Sequence, residues 1–199
     1  MAITVDYYLA PISPWTYLGH ARFSAMVKAA GATVRVKPMD LGVIFPVSGG
    51  LPLPKRAPQR QAYRLVELKR FSDFLGVPMN IQPAFFPALG TDASHLIIAT
   101  DLAHGADVAL DLAGRFGAAT WAQQRNIADA ATQRTLLEEA GLPAALMDAA
   151  AAPEVAARYT AYTEEARDIG VFGAPSYVVD GELFWGQDRL DFVERRLRA

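Results

Sequence analysis

The sequence predicts an α/β fold in which a βαβ unit at one end and a ββα unit at the other enclose a large all-helical insertion. Three observations carry this. Strand, helix and strand signals fill residues 3–38. A long alanine-rich middle, from about Thr91 to Arg167, lacks strand signals. The chain then closes with a proline, a hairpin and a helix.

In order, Ile3 to Leu9 is a short run of β-favouring residues with apolar alternation. Pro11-Ile12-Ser13-Pro14-Trp15-Thr16-Tyr17 follows and leads into a helix that extends to Ala30. Ser13 is a good N-cap, and Pro14 suits the first helical position, where the N–H it lacks would be unpaired anyway. Such a corner is also an anion site, because unpaired N–H groups and the helix dipole point out of it. Simple capping and a catalytic role both fit Ser13 alone. Gly31 stops the helix, and residues 32–38 form a second strand with Val34 and Val36 on one face. The two strands of this unit should be parallel, with a right-handed crossover.

Residues 40–58 hold Pro46, Gly49, Gly50, Pro52, Pro54 and Pro58, which exclude a continuous helix or a central strand. This stretch is either a solvated connection or a ligand-facing loop, with Lys55, Arg56 and Arg60 adding positive charge. A helix spans Gln59 to Leu75, its apolar face carrying Leu65, Leu68, Phe71 and Leu75, its polar side Arg64, Glu67, Lys69 and Arg70. Phe85 and Phe86, adjacent in an irregular proline-rich stretch, read as core, with pocket wall as the alternative. Helices are expected over about 94–104, 108–121 and 130–140, then after Pro143 and from Pro153 to Arg167. Trp121 and Phe116 read as their core.

Ser176 to Val179 and Glu182 to Trp185 flank Asp180-Gly181, a strong two-residue hairpin turn. Gly186 ends the return strand, and Gln187 to Leu190 open the last helix, where Asp188 can cap. This order is that of a thioredoxin-like fold. Residues 1–39 and 168–199 form its discontinuous domain, and 40–167 form the connecting loop and helical insertion domain. In such a fold Pro175 faces Ser13, its peptide bond is typically cis, and the Ala174 backbone is open to an extended peptide.

Of 199 residues, 52% are hydrophobic and 20% charged, enough for a real core. A net charge of -2 argues against nucleic acid as partner. No apolar run reaches about 18 residues, and no secretory signal is visible, so the expectation is a cytoplasmic protein off the membrane. With no cysteine, disulfides, thiolate-bound metals and thiol catalysis by the chain itself are excluded. His20, His95 and His104 lack metal-ligand spacing, so no metal is expected.

Residues 170–175, Gly-Val-Phe-Gly-Ala-Pro, and 182–190, Glu-Leu-Phe-Trp-Gly-Gln-Asp-Arg-Leu, taken with Ser13-Pro14, resemble the 2-hydroxychromene-2-carboxylate isomerase family. That family belongs with the kappa-class glutathione transferases and the DsbA-like group. Ser13 and Thr16 stand where disulfide-exchanging relatives carry Cys-x-x-Cys. The resemblance implies a borrowed thiol, glutathione, and reversible thiolate addition to a conjugated double bond, followed by rotation and elimination, in aromatic catabolism. Ser13 would be catalytic and would hydrogen-bond the thiolate. Ala174 and Pro175 match the backbone that pairs with the cysteinyl part. Trp185, Gly186, Gln187 and Asp188 match the segment that holds the γ-glutamyl end, with core packing for Trp185 and capping for Asp188 as the alternatives. Relatives suggest a homodimer.

The match is weakest between Gly42 and Arg60. Ile44-Phe45 stands where members often carry a basic residue, and Gly49-Gly50-Leu51-Pro52 lacks the usual asparagine. Phe45, Arg56, Arg60 and Phe85 are the candidates for binding a small aromatic carboxylate substrate. A kappa-like glutathione transferase and a non-catalytic thiol- or peptide-binding module are the competing readings.

Overall fold

A computed structural model describes residues 3–198. Strand β1 (Thr4–Leu9) is followed by α1 (Pro14–Ala30) and β2 (Thr33–Pro38). After β2 come α2 (Leu41–Ser48), a 3-10 turn at Leu53–Lys55 and α3 (Pro58–Leu75). The helical middle holds α4 (Thr91–His104), α5 (Ala106–Trp121), α6 (Ala130–Glu139), α7 (Leu146–Ala150) and α8 (Pro153–Asp168). The chain closes with β3 (Ser176–Val179), β4 (Glu182–Trp185), a 3-10 turn at Gln187–Arg189 and α9 (Leu190–Leu197).

The sheet order is β2-β1-β3-β4. β1 runs parallel to β2, from Thr4 opposite Thr33 to Leu9 opposite Pro38, and antiparallel to β3. Asp180 and Gly181, both with positive φ (49° and 82°), join β3 to β4 as a tight hairpin requires. This is the thioredoxin-like order with a helical insertion that the sequence predicts.

β1 is central, and helices cover both of its faces. Val5, Tyr7 and Leu9 join Phe23 and Val27 of α1 and the apolar residues of α4 and α5 in one large core. Tyr8 faces the other way, toward Met39, Ala166 of α8 and Val178. The apolar alternation therefore sorts residues between two buried faces, and even Asp6 is buried. The main core runs without a break from Val34 and Val36 of β2 into Leu96, Ile97, Leu112 and Phe116. Burial of each such large side chain contributes about 1.5–3 kcal/mol.

Two expectations need correction. Residues 41–48 are helical, although Pro46 lies inside. The prolines do prevent one helix through 40–58, but a short capped helix tolerates a single lost bond. The Asp40 carboxylate accepts from the Gly42 N–H at 2.7 Å, and Gly49 closes the helix at φ 75°. Nor does Asp188 cap the last helix: no side-chain cap bond forms there, and its carboxylate takes Arg189 at 2.7 Å instead.

His20 locks α1 to both neighbouring layers. Its Nε2 lies 2.9 Å from the Leu110 carbonyl oxygen of α5, and its Nδ1 lies 3.1 Å from the Tyr7 hydroxyl. A carbonyl only accepts, so Nε2 carries a proton, and in the neutral ring Nδ1 accepts from the Tyr7 hydroxyl. Burial favours the neutral ring and pushes its pKa below the usual histidine value. A depressed folded-state pKa gives stability that is fully present above the unfolded value of about 6.5 and is lost as pH falls through the folded one. Urea unfolding of the wild type and His20→Gln between about pH 8 and about pH 5 should show a smaller acid loss in the variant. Parallel losses in the two proteins would remove His20 from the account.

Candidate active site

The site begins where β1 hands over to α1. Ser13 is the N-cap of α1, with extended backbone (φ -73°, ψ 125°), and it is buried. Its Oγ accepts from the Thr16 N–H at 3.2 Å and donates to the Ala174 carbonyl oxygen at 3.2 Å. The second contact is long for a hydroxyl donor, whose bonds usually span about 2.5–3.0 Å, so the hydroxyl proton is weakly held and easily redirected. Pro14 has no N–H. The Trp15 N–H at the second helical position has no partner among the described residues. The corner therefore presents a hydroxyl and a free N–H at the positive end of a 17-residue helix. The Thr16 hydroxyl is buried and also lacks a partner among the described residues.

Ala174-Pro175 crosses in front of Ser13, and its peptide bond is cis as the fold order predicts. The Pro175 carbonyl accepts from the Gly186 N–H at 2.9 Å, which ties the loop before β3 to the end of β4. The Ala174 N–H has no partner among the described residues. A free donor beside a weakly engaged acceptor is the edge pattern that an extended peptide can join.

The 185–188 segment continues this wall. Trp185 is 50% exposed, so it is not a core residue, and its ring packs on Phe172 at 4.7 Å. Gly173 allows this approach, because a Cβ there would lie 2.5 Å from Trp185 Nε1. Gly186 takes φ 102°, a conformation that favours glycine. Asp188 is exposed at the rim. Gln187 points the other way: it is buried, and its side-chain and backbone oxygens each accept from Arg22 at 2.6 Å. Its two oxygens thus fasten the segment to α1, while the residue still lines the cleft.

The opposite wall comes from α2, α3 and the stretch before α4. These elements and the corner enclose a cleft of about 1230 Å³ that contains Ser13, Ala174, Trp185, Gly186, Gln187, Asp188, Phe45, Arg56 and Arg60. Pro175 lies behind this surface. Phe85 is a correction: it is 45% exposed, neither core nor wall, while Phe86 turns inward against Trp121 at 4.8 Å and lines the cleft. Phe85 sits in a turn closed by the Phe86 N–H on the Pro83 carbonyl oxygen at 3.3 Å, and the chain reversal sends the two adjacent rings to different sides. Trp15 and Phe71, edge to face at 5.9 Å, join α1 to α3 across the floor.

Charge on this wall is one-sided. Arg56 donates to the Leu51 carbonyl oxygen at 2.7 Å and covers the Phe45 ring. Arg60 is exposed. Arg64, read from periodicity as part of the polar side of α3, instead enters the cleft half-buried. Its guanidinium lies over the rings of Phe86 (5.2 Å) and Trp121 (5.8 Å). Burial, with the nearby Arg56 charge, brings its pKa down to about 10. No carboxylate pairs with Arg56, Arg60 or Arg64 among the described residues. The two acidic residues of the cleft, Glu67 and Asp188, are paired with Arg70 and Arg189. Among the described residues, the unpaired side-chain charge of the cleft is therefore positive.

These features define a thioredoxin-fold protein with a serine hydroxyl at the corner between β1 and α1. Residues 4–198 match the DSBA-like thioredoxin domain, and the chain belongs to that family. Among curated proteins it is 28% identical over 199 residues to 2-hydroxychromene-2-carboxylate isomerase from Sphingobium xenophagum, covering 99% of both chains. It is 24% identical to the protein of the same name from Pseudomonas putida, covering 96% of this chain and 92% of that one. Among solved structures, 2-hydroxychromene-2-carboxylate isomerase superposes with a TM-score of 0.81 at 25% identity, over 98% of this chain and 94% of that one. The cytosolic disulfide reductase DsbM from Pseudomonas aeruginosa shares the fold, with a TM-score of 0.72 at 19% identity over 98% of each chain.

Proposed function

We propose that this chain is a glutathione-dependent isomerase of the 2-hydroxychromene-2-carboxylate isomerase type, acting on a small aromatic carboxylate. The observation that carries the reading is the corner itself. N–H groups on Trp15 and Ala174, unpaired among the described residues, flank the Ser13 hydroxyl, and the chain has no thiol of its own. Curated relatives spanning almost the whole chain carry that isomerase name. DsbM, which shares the fold, was solved with GSH.

The residues present fit the tripeptide. The Ala174 N–H and carbonyl suit the backbone of its cysteinyl part, and the Asp188 carboxylate at the rim suits its free ammonium group. Bound there, glutathione supplies the nucleophilic sulfur for reversible addition to a conjugated double bond, which frees that bond to rotate. Ser13 turns its proton from the Ala174 carbonyl toward the sulfur and, with the Trp15 N–H and the helix dipole, favours the anion. The arginine wall attracts and orients the acid group of the substrate. The apolar floor of Trp15, Phe71 and Phe86 takes the aromatic body and excludes water.

Calorimetry with glutathione, followed by an ultraviolet assay with 2-hydroxychromene-2-carboxylate, tests the reading. The expected result is millimolar or tighter binding and equilibration of the substrate with glutathione unconsumed. Net consumption of glutathione would favour a transferase. Absence of binding would leave a non-catalytic module.

A further inference from the structure

We propose that Arg64 is the anchor for the substrate carboxylate and thereby selects planar, conjugated acids; this rests on the function proposed above. The sequence alone points to Arg56 or Arg60 for that task, but the structure gives each another state. Arg56 has its Nε bonded to the Leu51 carbonyl and its guanidinium against Phe45, so it braces the 49–56 loop. Gly50 fits the same loop onto Phe45, where a Cβ would come within 2.5 Å of the ring. Arg60 lines the cleft from the first turn of α3 but is exposed, and an exposed cation keeps its water and binds weakly.

Arg64 differs in each respect. It makes no hydrogen bond and no ion pair among the described residues, and it is half-buried in the cleft. Phe86 and Trp121 lie beside its guanidinium. Stacking removes water from the face of a guanidinium while its N–H edge stays available for two parallel bonds to a carboxylate. The residue is thus partly desolvated and oriented before any ligand arrives, which lowers the cost of binding.

Position also separates substrate from cofactor. Trp121 Nε1 donates to the Ile12 carbonyl at 3.3 Å, so the ring carrying Arg64 touches the residue before Ser13. Ala174 meets Ser13 through its hydroxyl, and Trp185 and Asp188 extend the wall on which Ala174 lies. Ser13 therefore stands between the tripeptide wall and the Arg64 wall. An acid group held at Arg64 places the conjugated body of its molecule along Phe86 and toward the sulfur held at Ser13.

The test uses two probes, salicylate and its neutral counterpart salicylamide, titrated by calorimetry into the wild type, Arg64→Gln and Arg64→Lys with glutathione present. Wild type should prefer salicylate. Arg64→Gln should lose about 10- to 100-fold in salicylate affinity, as expected for a lost charge-assisted pair, with salicylamide and glutathione binding unchanged. Arg64→Lys should recover only part, because it restores charge without the planar fork. Unchanged salicylamide binding also certifies that the variants are folded. Equal affinity of the wild type for both probes would overturn the proposal. So would loss of glutathione affinity in Arg64→Gln, which would assign the residue to a carboxylate of the tripeptide. Probe binding needs no catalysis. If salicylate binding depends on Arg64 but no isomerisation occurs, the anchor stands and the isomerase reading falls. If isomerisation occurs but salicylate binding ignores Arg64, the isomerase reading stands and the anchor falls.

Discussion

Ser13→Ala is expected to lower kcat/KM by about 100-fold, the scale seen when one preorganised donor is removed from a developing anion. It should also raise the pKa of glutathione held at the corner. Each unit of that shift corresponds to about 1.4 kcal/mol of lost preference for the thiolate, read from its ultraviolet absorbance during a pH titration. The hydroxyl has two partners in the structure, the Thr16 N–H and the Ala174 carbonyl, both at 3.2 Å. The first is the helix cap, and its loss costs about 1 kcal/mol of stability. For a chain of this length that lowers the melting midpoint by roughly 2–4 °C. The fold therefore survives, and most of the activity loss comes from the missing donor. Ser13→Thr separates the two effects, because it keeps a hydroxyl and should retain much of the low thiol pKa. A titration in Ser13→Ala that superimposes on the wild type would remove Ser13 from the chemistry and leave it as a cap.

Ser13 was legible because its signal is local: a strand, a capping serine and a proline at the first helical position need no knowledge of what packs around them. The Asp180-Gly181 hairpin was legible for the same reason, since a two-residue turn with positive φ narrows the choice of residues. Arg64 was not. Periodicity reports which residues share a face of α3, and it placed Arg64 with Glu67 and Arg70. It does not report what that face meets, and here part of the polar side is a cleft wall. Gln187 shows the same limit within a well-matched block, where the motif located the segment but could not show that this side chain turns back to Arg22. Phe85 and Phe86 lie in a stretch with no period, so nothing in the sequence ranked one above the other. The α2 helix was hidden because its proline argued against it, while its Asp40 cap argued for it only weakly.

Lys37→Met is expected to lower stability by about 2–4 kcal/mol, or roughly 5–15 °C in melting midpoint. Lys37 lies on β2 with its side chain only 5% exposed, on the face covered by α8. Its ammonium is 2.7 Å from one Glu165 oxygen, 2.8 Å from the other and 3.1 Å from Asp6. It also lies 5.2 Å from the centre of the Tyr8 ring. Methionine keeps most of the buried stem, so the variant reads the charge more than the packing. The loss should fall at or below the 3–5 kcal/mol typical of an orphaned buried charge, for two reasons. Asp6 keeps Arg35 as a partner, and Glu165, 43% exposed, can recover water. The double variant Lys37→Met with Glu165→Met should regain only a minor part of the lost stability, because Glu165, 43% exposed, already recovers water in the single variant. A double variant that regains most of it would show that this carboxylate stays uncompensated in the single one. The effect should reach the cleft only through unfolding. β2 leads through Asp40, whose N–H donates to Thr163 of α8 at 3.0 Å, into the α2 wall. Well below the transition, glutathione affinity should therefore match the wild type. On warming it should disappear with the fold, at the lower midpoint.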